Sequence, residues 1–196
     1  MPNKTTFAVV LSLSAVAFTT ACGSSSTPES QISSTFSGAT AALADGDGGK
    51  FCDALTPAAQ KSFGSQISSA TGASDCKTGV TNLMNATKAL SSGDWKTFCK
   101  SIGPKAAAQI AGAGAKLKTT NTCEAAGTAL SKTPQGKAAF DSLGKQLDAS
   151  LGRLKNGKLV KIKVNGNTAT ASVTPLQPND KPVKFEKVNG TWKISQ

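Results

Sequence analysis

The chain reads as an α+β protein, with N-terminal helices packed on a C-terminal four-stranded antiparallel sheet. Three features predict this. The phrase "ALADGDGGKFC" (Ala42–Cys52) returns forty-seven positions later as "ALSSGDWKTFC" (Ala89–Cys99). Apolar residues recur at three- and four-residue spacing up to Asn156 and at every second position after it. Two short turns, "NGN" and "VNGT", divide the alternating part into strands.

The opening of the chain stands outside that fold. Lys4 followed by the apolar run Phe7–Phe18 has the form of an export leader, expected over 1–21, and is too short to span a bilayer. It ends in "TTAC" and is followed by the polar "GSSSTPES". A small residue before a cysteine, with a Ser-rich stretch after it, resembles the lipobox of bacterial lipoproteins. That resemblance implies a lipid on Cys22 as first residue of the mature chain, and anchorage at the extracytoplasmic face of the cell membrane. Thr19 stands where the motif usually carries Leu, and ordinary cleavage after Ala21 is the alternative. Residues 22–34 are expected to form a flexible tether.

Export sets the redox compartment, in which cysteines pair. Beyond Cys22 the chain holds Cys52, Cys76, Cys99 and Cys123, which allow three pairings. The repeat selects one of them. A shift of forty-seven without a gap superposes Leu43 on Leu90, Asp47 on Asp94, Phe51 on Phe98, Pro57 on Pro104 and Ala59 on Ala106. Each cysteine pair then has the same separation, so each copy is expected to close its own bridge, Cys52–Cys76 and Cys99–Cys123. Zinc is set aside, because metal sites bring cysteines in close pairs and none are close here.

A helical unit is expected over 35–82 and a second, α+β unit over 83–196. In the second unit a helix carrying Leu83, Ala86 and Leu90 stops at Gly93, and Asp94 caps the next, with Trp95, Phe98 and Ile102 on one face. Pro104 opens a further helix, and Asn121 with Glu124 has the spacing of a loosened capping box at Cys123. Thr133–Pro134 starts a long helix with Phe140, Leu143, Leu147, Leu151 and Leu154 as its stripe and Asp141 paired with Lys145. The first strand is expected to turn Val160, Ile162 and Val164 inward and Lys161 and Lys163 outward. The return strand turns Ala169, Ala171 and Val173 inward; Phe185 and Trp192 face in from the last two strands.

The pattern "AL-x-x-GD", the stapled helical segment, "VNGNTATASV" and the terminal "NGTWKI" together resemble small lipoproteins of actinobacteria. Those carry a domain similar to the nuclear transport factor 2-like superfamily, a curved sheet wrapped by helices around a conical pocket. The resemblance covers about residues 83–196. It implies a candidate pocket beneath Ala169, Ala171, Val173, Phe185 and Trp192.

Composition narrows the chemistry. The 196 residues include no His and no Tyr, so Ser-His-Asp and Cys-His arrangements are excluded. "SLGK" at Ser142–Lys145 and "KTG" at Lys77–Gly79 match motifs of penicillin-binding enzymes but stand in the reverse order, and are rejected. Asp141 and Asp148 read as solvated charges. Net charge is +11, with Arg153, Lys155, Lys158, Lys161 and Lys163 crowded together. No aromatic residue interleaves with them, which argues against nucleic acid. A solvated outer sheet face, kept basic to discourage edge pairing, is the expected reading of Lys161 and Lys163, with an anionic lipid or wall polymer as the alternative partner. The function expected is a non-catalytic, membrane-anchored binding module for a small apolar or lipid-like ligand, with no cofactor and no metal. The alternative is a structural or protein-interaction component of the envelope.

Overall fold

Helices come first and strands last along the residues that the computed structural model describes, 26–115, 121–175 and 180–195. The expected leader and Cys22 lie outside the described residues. The helices are α1 (Pro28–Asp45), α2 (Gly48–Asp53), α3 (Pro57–Thr71), α4 (Cys76–Ser92), α5 (Trp95–Ser101), α6 (Pro104–Ala115), α7 (Cys123–Leu130) and α8 (Pro134–Asn156). The strands β1 (Lys158–Asn165), β2 (Thr168–Thr174), β3 (Val183–Val188) and β4 (Thr191–Ile194) form one antiparallel meander in the order β1-β2-β3-β4. The fold is α+β.

The repeat is visible as geometry. Shifting by forty-seven carries α1, α2 and α3 onto α4, α5 and α6. Gly46 and Gly93 both end a helix in the left-handed region, at φ 76° and 72°, where a side chain would strain the backbone. Asp47 and Asp94 then cap the short helix that follows, accepting from the backbone N–H of Lys50 at 2.9 Å and of Thr97 at 3.0 Å. Both bridges form as the repeat predicts. Cys52–Cys76 ties α2 to the start of α4 and Cys99–Cys123 ties α5 to the start of α7, each with a sequence separation of 24.

One pair of positions breaks the symmetry. Unit one has Gly48 and Val80 where unit two has Trp95 and Gly127. A Cβ on Gly48 would stand 2.4 Å from the Lys77 carbonyl oxygen, and one on Gly127 would stand 2.3 Å from Cε3 of Trp95. Gly48 thus lets α2 approach the backbone of α4 in unit one, and Gly127 makes room for the Trp95 ring in unit two.

Several expectations need correction. Residues 28–34 do not extend as a tether. Thr27 caps α1 and Pro28 opens it, and Ile32, Phe36, Ala39 and Leu43 recur along it at helical spacing and are buried. Ile32 and Phe36 pack on Ala169, Ala171, Phe185 and Trp192, so it is α1 that covers the sheet. A boundary between 82 and 83 falls inside α4. At Cys123 the capping residue is Thr122, whose hydroxyl accepts from the Ala125 N–H; Asn121 lies outside the helix. In β1 the register slips between Val160 and Lys163, and Lys161 sits at φ 53°. This bulge inserts a residue and shifts the inward phase, so Leu159, Ile162 and Val164 meet the core and Val160 does not. Asp141 accepts from Lys137 at 3.1 Å rather than pairing with Lys145. The side chains of Asp148, Leu151, Arg153, Leu154 and Lys155 lie outside the described residues.

The first helical unit is also stitched to the sheet's last strand. Thr56 N–H donates to the Ile194 carbonyl at 2.8 Å, Ile194 N–H donates to the Ala54 carbonyl at 2.9 Å, and Thr35 donates to the Trp192 carbonyl at 3.2 Å. The α2–α3 junction thus covers an edge that would otherwise be open to pairing.

Candidate functional site

Helix α3 is held at its N-terminus and along the side that faces α4. Its N-terminus is fixed to β4 through Thr56, and the Cys52–Cys76 bridge joins α2 and α4, the elements on either side of it in the chain. Along its length it leans on α4. Gly64 lets the backbone of Cys76 approach to 3.1 Å from an ideal Cβ position, and Ile67 fills the space above Gly79. The opposite side of α3 carries Ala58, Ala59, Ser62 and Phe63, mostly too small to reach across to α1.

A cavity of about 670 Å³ results. Phe36, Ala39, Thr40 and Leu43 of α1 form one wall and the α3 side chains form the other. Phe51 and Leu55 close one end, and Val183, Ile194 and Ser195 from the edge of the sheet close another. The polar groups are few. Thr40 donates to the Ser37 carbonyl at 3.0 Å within its own helix, and at the exposed rim Gln66 donates to Ser62 at 3.2 Å. Among the described residues, no charged side chain lines the space. Such a surface can remove apolar area from water but has nothing with which to neutralise an ion.

The candidate residues beneath the sheet fall elsewhere. Ala169, Ala171, Phe185 and Trp192 are buried together under Ile32 and Phe36, with Val173 partly buried at the margin. None of the five lines the cavity. The small alanines of β2 give room to large side chains of a helix, so the conical space implied by the resemblance is occupied by the protein itself. Trp192 is one layer from the cavity, sharing a cluster with Phe36 and Ile194, which line it. Its indole N–H is buried without an acceptor among the described residues.

Sequence reasoning missed the α3 wall. Its signal was Ala59, Phe63 and Ile67 at helical spacing, diluted by the Ser and Gln between them.

The charged groups lie away from this space. Lys161 and Lys163 are exposed on the outer face of β1. Asp47, Asp75 and Asp94 have carboxyls held below the ordinary carboxylate range, chiefly because the backbone N–H groups of Lys50, Thr78 and Thr97 donate to them. These are caps, and their ionised form is part of the helix starts. Among the described residues, no group of three or more Cys, Asp or Glu is placed to hold a metal ion, and no helix is long and apolar enough to cross a membrane. Comparison of the chain with protein-family models, curated proteins and solved structures finds no match.

Proposed function

We propose that the protein is a non-catalytic binding module, held at the extracytoplasmic face of the cell membrane by a lipid on Cys22, that takes a small uncharged apolar molecule between α1 and α3. The observation behind this reading is the cavity of about 670 Å³ with an apolar wall and no charge. Its size lies within the roughly 300–1,000 Å³ usual for small-ligand sites. A chain without His, with no acid at the cavity wall among the described residues, has no evident base for chemistry there. The resemblance to nuclear transport factor 2-like lipoproteins belongs to the same proposal, with the ligand moved from beneath the sheet's centre to the β3–β4 edge.

Dodecanol is a suitable probe, being apolar and uncharged. In a Trp95→Phe background Trp192 is the sole tryptophan, and its emission should change saturably on titration. Ala59→Phe, which fills the cavity, should abolish the change. A flat titration in the folded background protein would sink the reading. The anchor is tested separately: Cys22→Ser should release the protein from membranes, and a membrane-bound wild type with an unmodified Cys22 would exclude lipidation. The exposed Lys161 and Lys163 suggest an anionic lipid surface as a second partner. Lys161→Glu with Lys163→Glu should then weaken salt-sensitive cosedimentation of a leader-free protein with phosphatidylglycerol vesicles; unchanged cosedimentation would remove that partner.

A further inference from the structure

The duplication copies more than the staple. A second cavity, of about 540 Å³, lies between α4 and α6. Shifted by forty-seven, wall positions of the first cavity fall on wall positions of the second. Phe36 and Ala39 become Leu83 and Ala86, while Phe51 and Leu55 become Phe98 and Ile102. On the third helix Ala59, Ser62, Phe63 and Gln66 become Ala106, Gln109, Ile110 and Ala113.

The outer walls, by contrast, are unrelated. The sheet edge closes the first cavity, and Phe140, Leu143 and Leu147 of α8 close the second. A chance packing defect depends on the particular neighbours that fail to meet. Here two different neighbours leave the same helical face unfilled, and the residues that keep it open, Ala39/Ala86 and Ala59/Ala106, are small in both copies. Among the described residues both walls are uncharged, and each carries one glutamine at an exposed position, Gln66 or Gln109, one helical turn apart in the shared frame.

We propose that each chain binds two molecules of the same class, uncharged and apolar with a hydroxyl or carbonyl that reaches the rim glutamine, one per repeat. This rests on the binding function proposed for the first cavity. It adds a second site and a stoichiometry that neither cavity alone implies.

Native mass spectrometry of the leader-free protein with dodecanol tests it. The wild type should take up two equivalents. Ala59→Phe and Ala106→Phe should each lower this to one, and the double variant to none. Ala58→Phe and Ala113→Phe, at exposed positions of the same walls, serve in the same way if either half-buried substitution disturbs the thermal transition. A single equivalent in the wild type, removed by Ala59→Phe and untouched by Ala106→Phe, overturns the second site and leaves the first standing. No uptake by the folded wild type overturns both.

Discussion

Gly127 and Trp95 exchange volume across the second staple, and the exchange has a measurable cost. Any side chain at 127 must displace the indole, which lies between Phe98 and Phe140 at centroid distances of 5.6 and 4.5 Å. Gly127→Ala should therefore destabilise by about 1–3 kcal/mol through overpacking. In a Trp95→Leu background the same change should cost less, because the obstructing ring is gone; equal costs in the two backgrounds, measured by urea unfolding, would show that the two sites are independent. The capping aspartates make a second residue-scale prediction. Asp47, Asp75 and Asp94 have folded pKa values lowered from 3.8. The stability they confer is present above that value and lost as pH falls through the lower folded values. The triple Asp→Asn variant still presents a capping oxygen, so its stability should fall less than the wild type's below about pH 4. Parallel acid-unfolding curves for the two proteins would remove the caps from the account.

At the scale of elements, each bridge closes a loop of the same length and should contribute alike. The chain-entropy relation gives roughly 3.5 kcal/mol for a separation of 24. Cys52→Ala with Cys76→Ala, and Cys99→Ala with Cys123→Ala, should lower stability by similar amounts. The first pair should also weaken dodecanol binding, since that bridge holds the elements that position α3; unaltered binding in the folded variant would mean that α4 and β4 suffice. Helix α1 makes the sharper test. Ile32 lies within the stretch whose Ser-rich composition suggests a tether, yet it is 0% exposed. Ile32→Ala should cost about 2–5 kcal/mol, whereas a residue on a solvated leash would cost nothing measurable.

For the whole molecule, the sheet belongs with the first helical unit, because α1 covers its face and the α2–α3 junction covers its edge. A fragment of residues 83–196 would expose Ala169, Ala171, Phe185 and Trp192 together. It should lack a cooperative thermal transition, while a fragment beginning at residue 26 should keep one. A cooperative melt of the shorter fragment would return the sheet to the second unit. The two cavities follow from the same architecture. Each repeat leans its third helix on the helix beyond it, and the face left behind is closed by whatever stands next, sheet or α8.

Residue order alone determined whatever is local or periodic. The helix starts at Asp94 and at Thr133–Pro134, the strand turns at Gly166 and Gly190, and both cysteine pairings were legible because each depends on spacing and turn chemistry within one segment or one repeat. The bulge at Lys161 was not, because a slip of register is decided by the partner strand. Nor was the helix that covers the sheet. The stripes of α1 and α8 are both apolar, and only three-dimensional packing chooses Ile32 and Phe36 to fill the space above the β2 alanines. The same competition moved the candidate site. Beneath the sheet a large side chain met a small one and closed the space, while between α1 and α3 small side chains met one another and left it open.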